Sequence, residues 1–125
     1  MFSSNSFGEW KWVGENVRGD YYVDFDSIRK VDEYLYFWTL NDFLKPLEDV
    51  YFSSKVSFQG DCKLFRYKNL SMSFHKEPMG EDTGLTVNLS EEWENPLPKS
   101  SIEVTLKSVC DYVKYNVNVK TYIPL

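Results

Sequence analysis

The sequence predicts a single α+β domain: an antiparallel sheet of about six strands, one C-terminal helix packed on it, and a possible extra C-terminal strand. Aromatic residues make up 18% of the 125 residues, and such a content is typical of strands. Short apolar or alternating segments separated by turn residues follow one another through the first 75 residues. The one amphipathic pattern long enough for a helix comes after Pro98.

The first strands are predicted from short runs of aromatic and β-branched residues. Residues 9–13 and 20–25 form the first two, and residues 26–30 form one helical turn with Asp26 as its cap. Residues 34–40 are almost continuously apolar or aromatic, as expected of a central strand covered on both faces. Residues 41–49, which include a proline, are predicted to be a connecting loop.

Three further segments complete a predicted meander of six strands, namely residues 53–59, 63–67 and 70–74. Residues 77–97 then break the pattern with prolines, glycines and several acidic residues. A long segment of this composition predicts an exposed loop, and loops of this length are often functional. Trp93 is the residue expected to hold this loop to the body of the domain.

The helix is predicted from a capping box formed by Ser100 and Glu103. Five apolar residues then follow at helical spacing on one face: Ile102, Leu106, Val109, Cys110 and Val113. Residues 115–125 alternate like a half-buried strand, which adds to an edge of this sheet or pairs with a neighbouring molecule. We therefore divide the chain into a flexible lead-in (1–8), the domain (9–113) and a C-terminal strand or tail (114–125).

Charge and hydropathy exclude several classes of partner. The net charge of −5 and the dispersed basic residues argue against nucleic acid as a partner. No stretch approaches the ~20 apolar residues of a membrane-spanning helix. The first residues lack the pattern of a signal peptide, so an extracytoplasmic location assumes that a leader was removed.

The residues that could carry chemistry do not predict an enzyme. A single histidine and two cysteines supply neither a nucleophile with its base nor the ligands of a zinc site, and no cofactor is expected. His75 is a candidate haem ligand or part of a small-ligand pocket. A lone histidine at a strand end is more often a solvated or hydrogen-bonded side chain.

The two cysteines are the most informative residues of the chain. Cys62 lies in a tight turn before a strand, and Cys110 lies on the apolar face of the helix. A bond between them would join helix to sheet and close a loop of roughly 50 residues, which is worth about 4 kcal/mol. It would also imply an oxidising compartment. The alternative is two buried, reduced thiols that behave as small apolar side chains.

The aromatic residues predict a binding surface. A single helix covers one face of a sheet, so the other face would keep part of its aromatic area exposed. The alternative is that the long loop and the two layers bury these side chains. The candidate contacts, chosen for their aromatic area, are Tyr34, Tyr36, Trp38, His75 and Trp93.

Several segments resemble the surface-adhesin protein E family of small bacterial envelope proteins. They are residues 12–15 (WVGE), 20–30 (DYYVDFDSIRK), 36–40 (YFWTL), 60–62 (GDC) and 106–110 (LKSVC). The resemblance implies an antiparallel sheet backed by a C-terminal helix and joined to it by a disulfide at Cys62 and Cys110. It also implies non-enzymatic binding, since the best-known member is an adhesin that binds host matrix proteins and haem and can dimerise.

The resulting functional hypothesis is a non-enzymatic binding protein of the bacterial cell envelope or a secreted one. Its partner would be a protein or another surface macromolecule, recognised through exposed aromatic strands and the acidic 77–97 loop. One alternative is an assembly subunit that forms a homo-oligomer through its C-terminal strand. Another is a periplasmic carrier of a small hydrophobic ligand such as haem.

Overall fold

The computed structural model describes residues 9–89, 91–116 and 120–122. They form eight strands and one α-helix, which confirms the predicted α+β class. The strands are β1 (Lys11–Asn16), β2 (Gly19–Val23), β3 (Arg29–Val31), β4 (Tyr34–Leu47), β5 (Tyr51–Asp61), β6 (Arg66–His75), β7 (Leu85–Asn88) and β8 (Lys120–Tyr122). The helix is α1 (Ser101–Tyr115).

The strands form one sheet in the order β1-β2-β4-β5-β6-β7. Strands β2 and β3 pair with successive stretches of β4, on the edge opposite β5. All strand pairs of this sheet are antiparallel except one: β8 lies parallel to β3. The predicted meander is therefore confirmed, with β4 and β5 at its centre.

Strand β4 is longer than the sequence predicts. It continues through Asn41 to Leu47, so the predicted loop over residues 41–49 is wrong for most of its length. Its pairing with β5 is interrupted between Asp42 and Leu47, and Pro46 is tolerated there because its missing N–H is not needed by the ladder. The hairpin turns at residues 48–50, where Glu48 and Asp49 both adopt positive φ.

Strand β6 replaces the two short strands predicted over residues 63–67 and 70–74. A β-bulge lies opposite Ser57 and Phe58 of β5, whose partners are Ser71 and Asn69, and Leu70 is the extra residue. The bulge changes which face each residue occupies, and this explains why the alternation looks like two separate strands.

The helical turn after β2 is shorter than predicted and has a different cap. It is a 3₁₀ turn over Phe25–Ser27, and the carboxylate of Asp24 accepts a hydrogen bond of 3.1 Å from the Asp26 backbone N–H. The prediction of Asp26 as the cap is therefore wrong by two residues. Residues 29–31 continue as β3, which places this turn between two strands that share one edge of β4.

The 77–97 segment is partly regular rather than an open loop. It contains a 3₁₀ turn over Pro78–Gly80 and the edge strand β7, which pairs with β6. Further along, the backbones of Tyr67 and Glu94 exchange two hydrogen bonds of 2.9 and 2.8 Å. The segment therefore returns to the sheet at three points.

The helix forms where the capping box predicts it. The Ser100 Oγ accepts from the Glu103 backbone N–H, and the Glu103 carboxylate accepts from the Lys99 N–H. The predicted apolar stripe faces the sheet, where Leu106 and Val109 are completely buried. Gly60 of β5 lies directly beneath: a Cβ there would come 2.9 Å from Leu106 Cδ1, so glycine permits the close approach of helix and sheet.

The disulfide between Cys62 and Cys110 is present, with a Cα–Cα distance of 5.8 Å. Cys62 lies in the turn between β5 and β6. Asp61 shapes this turn, because its carboxylate accepts from the backbone N–H groups of Lys63 and Leu64 and from Arg66 Nε at 2.9 Å. Burial raises the pKa of this carboxyl, but the Arg66 hydrogen bond and the two N–H donors outweigh burial and hold the pKa below its usual value.

The lowered pKa of Asp61 predicts a pH-dependent contribution to stability. The contribution is complete above the unfolded-state pKa and is lost as the pH falls through the lower folded-state pKa. We expect Asp61→Asn to lower the free energy of unfolding by about 1–2 kcal/mol at pH 7. The difference from wild type should shrink towards pH 2, which urea unfolding at both pH values measures. Asp111→Asn, at an exposed position, is the control. A difference that stays constant with pH would contradict this role of Asp61.

The C-terminal segment adds a strand to this chain's own sheet, one of the two predicted destinations. Residues Lys120–Tyr122 pair with Arg29–Val31. The predicted lead-in (1–8) and the rest of the tail (117–119 and 123–125) lie outside the described residues. In the part of the chain that the structure describes, no helix is long and apolar enough to cross a membrane.

Candidate binding surface

The two faces of the sheet have different coverings. Along β4, Leu35 and Phe37 point towards α1 and belong to the core with Leu106 and Val109. Because side chains alternate along a strand, Tyr34, Tyr36 and Trp38 lie on the opposite face. This second face remains partly accessible at these three residues.

Neighbouring strands extend the aromatic character of this second face. Tyr22 of β2 pairs with Leu40 of β4, and Trp12 of β1 pairs with Tyr22. Trp12 is 56% exposed, and its indole N–H donates to the Asp20 carboxylate at 2.9 Å. We call the following set the aromatic face: Trp12, Tyr22, Tyr34, Tyr36, Trp38 and Trp93.

Polar side chains continue the same face on β5 and β6. Ser57 pairs with Trp38, and Gln59 pairs with Tyr36. Beyond them, Ser71 and Lys68 of β6 pair with Ser57 and Gln59. The face therefore places broad aromatic surfaces beside hydroxyl, amide and ammonium groups. Of these groups, the aromatic side chains are the ones that are enriched at protein interfaces.

Trp93 closes one end of the aromatic face. Its ring centroid lies 5.2 Å from that of Tyr34. Arg66 Cζ and Lys68 Nζ lie 4.3 and 4.7 Å from the Trp93 ring centroid, at cation–π distances. The adjacent Tyr67–Glu94 hydrogen bonds hold this stretch of backbone. The predicted role of Trp93 in holding the loop to the domain is therefore confirmed.

His75 differs from the other candidate contacts because it is buried, with 2% of its surface exposed. Its Nε2 lies 2.7 Å from Ser73 Oγ, and its Nδ1 lies 2.9 Å from the Asp82 carbonyl oxygen. Both ring nitrogens are thus engaged within the protein. The ring also packs against Gly84. Gly84 has a positive φ and no Cβ, so its backbone can lie directly on the His75 ring. These contacts favour a structural role over that of a haem ligand.

The network around His75 anchors the segment that follows β6. The Asp82 carboxylate accepts from the backbone N–H groups of Lys76 and Glu77. Burial raises the pKa of Asp82, but these N–H donors outweigh burial and lower it below its usual value. Ser53 Oγ donates to the Glu77 carbonyl and accepts from the Gly80 N–H. The 3₁₀ turn is thereby held over the other end of the second face.

Ser73, His75 and Asp82 stand in the order of a catalytic triad, an arrangement that the sequence did not predict. Ser73 is only 8% exposed, so its hydroxyl is not open to a substrate. The network therefore fits the anchoring of the 76–84 segment better than catalysis. Within the described residues, no three His, Cys, Asp or Glu side chains come close enough to hold a metal ion.

The fold and its disulfide define a small α+β domain whose sheet carries the aromatic face on the side opposite α1. The family model for surface-adhesin protein E matches residues 10–111. The chain therefore belongs to the surface-adhesin protein E family.

Solved structures show the same fold. The structure of Haemophilus influenzae protein E superposes with a TM-score of 0.64 and 16% identity, covering 91% of this chain and 93% of that one. Protein E from non-typeable Haemophilus influenzae superposes with a TM-score of 0.63 and 17% identity, covering 90% and 83%. A search of curated protein sequences found no match to this chain.

Proposed function

We propose that this chain is a non-enzymatic adhesin of the cell envelope or a secreted one, which binds a macromolecular partner through the aromatic face. The observation that carries the proposal is the pair Tyr36 and Trp38 on the face of the sheet opposite α1, with Ser57 and Gln59 beside them. Rigid aromatic side chains contribute large contact area at low entropic cost. Membership of the surface-adhesin family supports this function.

The disulfide supports an extracytoplasmic location. Cys62 and Cys110 are bonded, and such bonds persist in oxidising compartments. The family's surface location agrees with this.

The acidic residues of the 77–97 segment favour a partner that is not itself strongly acidic. Glu81, Glu91 and Glu92 are exposed on that segment, and the net charge of the chain is −5. The segment flanks the aromatic face at both ends, through Trp93 and through the Pro78–Gly80 turn. We therefore infer that the partner sits between these two ends, on Tyr36 and Trp38.

The assembly hypothesis receives less support. It requires the C-terminal strand to pair with a neighbouring molecule. Residues Lys120–Tyr122 instead pair with β3 of the same chain. The aromatic face thus remains the better candidate for an interaction site.

The test is a Tyr36→Ala/Trp38→Ala double variant, assayed by surface plasmon resonance on a panel of purified extracellular matrix proteins and cell-wall polysaccharides. We expect the variant to bind the wild-type partner at least about 30-fold more weakly, because the loss of even one central aromatic hot spot costs about 2 kcal/mol or more. The control is Leu44→Ala/Tyr115→Ala, since these residues are 74% and 77% exposed and are not part of the aromatic face. Equal binding by the two double variants would contradict the proposal.

A further inference from the structure

A second candidate site lies on the other side of the sheet, beside the disulfide. A groove of about 550 Å³ runs between α1, the turn after β3 and the turn over residues 62–65. Its wall includes Cys62 and Cys110 themselves. Leu35 also lines the groove, and Leu35 points to the helix side of β4. The groove is therefore separate from the aromatic face, and nothing in the proposed function uses it.

Part of the groove is apolar. Leu35, Phe65 and Val113 line it together with the disulfide. Phe65 is placed there by its positive φ of 51° at the end of the tight turn. These three side chains come from a strand, a turn and the helix, so they form a continuous apolar floor rather than a single exposed residue.

The rim of the groove is basic. Lys30 comes from β3, Lys63 from the turn, and Lys107 and Lys114 from α1. The acidic lining residues are Glu33 and Asp111. Four lysines against two carboxylates leave a local charge of +2, in a chain whose net charge is −5. We call this site the lysine groove.

Among the described residues, the ion pair in the lysine groove is that of Lys107 with Asp111, and it leaves the lysine available. Lys107 Nζ lies 3.8 Å from the Asp111 carboxylate, and both side chains are more than half exposed. An exposed pair at this distance is weak and easily exchanged for another anion. The rim can therefore hold an anionic group while the floor covers an apolar one.

We propose that the lysine groove binds a single-chain amphipathic anion, namely a carboxylate with an unbranched hydrocarbon chain, and dodecanoate is the ligand chosen to test it. The volume lies within the usual range of small-molecule sites, which is about 300–1,000 Å³. The apolar floor disfavours a multiply charged ligand such as free phosphate. The basic rim distinguishes the acid from a neutral chain of the same length, because an alcohol lacks the charge–charge attraction to the lysines.

The first measurement is displacement of the fluorescent probe 11-(dansylamino)undecanoate from the intact protein, at concentrations below micelle formation. We expect dodecanoate to displace the probe at one site per chain. Because only the charged head should engage the rim, 1-dodecanol should bind at least about tenfold more weakly. Equal displacement by the acid and the alcohol would overturn the proposal, and so would an absence of saturable probe binding.

The second measurement compares two sets of lysine substitutions. Lys63→Gln, Lys107→Gln and Lys114→Gln together should weaken dodecanoate binding about tenfold, since each exposed charge contributes modestly. The matched control replaces three exposed lysines elsewhere, Lys45, Lys76 and Lys99, by Gln, and should bind as wild type does. Thermal unfolding followed by circular dichroism verifies that both triple variants fold. Equal affinity of the two triple variants for dodecanoate would overturn the proposed site.

Phe65→Ser tests the apolar floor independently of the lysines. It should weaken the binding of dodecanoate and of 1-dodecanol by similar factors. The last measurement is binding of the protein to vesicles of the anionic lipid phosphatidylglycerol. Binding to vesicles without displacement of the probe by free dodecanoate would mean that the lysines serve a membrane surface, and the proposal would then fail. Failure here leaves the adhesin proposal intact, since the two sites lie on opposite faces of the sheet.

Discussion

Replacing Cys62 and Cys110 together by serine is expected to lower the free energy of unfolding by about 4 kcal/mol. The bond closes a loop with a sequence separation of 48, so its loss returns a large conformational entropy to the unfolded chain. Little packing is lost in the folded state, because Cys62 is exposed and Cys110 is half-buried. A change of this size is a large fraction of the stability of a domain of this length.

Urea unfolding of the double variant, compared with oxidised and reduced wild type, measures this effect. The reduced wild type is the matched control, and it should unfold at nearly the same urea concentration as the double variant. The aromatic face lies on the other side of the sheet, so the folded fraction of the variant should retain the aromatic face. A loss of under about 1 kcal/mol would show that the turn and helix are held without the covalent bond.

His75→Ala is expected to lower the free energy of unfolding by about 3 kcal/mol. The substitution removes a fully buried ring and leaves a cavity beneath Gly84. It also leaves the Ser73 hydroxyl and the Asp82 carbonyl without their present partner. The effect should concentrate in the 76–84 segment, which this network attaches to the sheet.

Lys76→Ala is the control for His75, since it is adjacent and exposed. Urea unfolding gives the overall loss, and hydrogen exchange shows where it arises. We expect faster exchange at the backbone amides of Lys76, Glu77 and Gly80. The first two donate hydrogen bonds to the Asp82 carboxylate, and the third donates to the Ser53 hydroxyl. If the amides of β4 and β5 lost protection before these did, the network would not be a local anchor.

The two faces of the sheet carry different sets of side chains. Leu106 and Val109 pack on one face and supply the core. Tyr36 and Trp38 on the other face are held in place by that core, because the same β4 backbone carries both sets. Binding at this proposed surface would need no loop to order on contact, which lowers the entropic cost of association.

Much of this arrangement follows from local patterns in the sequence. The helix follows from the apolar spacing between Ile102 and Val113 and from the Ser100 cap, because each depends on residues within one or two turns. The central strand β4 follows from its aromatic run. The position of Cys110 on the apolar stripe pointed to a bond with Cys62, but two reduced thiols were also compatible with the sequence.

The tertiary structure alone decided which side chains form the proposed sites. Both alternating sets of β4 are apolar, so the pattern indicates two faces without indicating which one α1 covers. The burial of His75 depends on Asp82 and Gly84, which fold back over it. The lysine groove collects residues from β3, a turn and α1. Periodicity reports the direction of a side chain relative to its own element, whereas burial and charge clustering depend on which distant elements come to lie beside it.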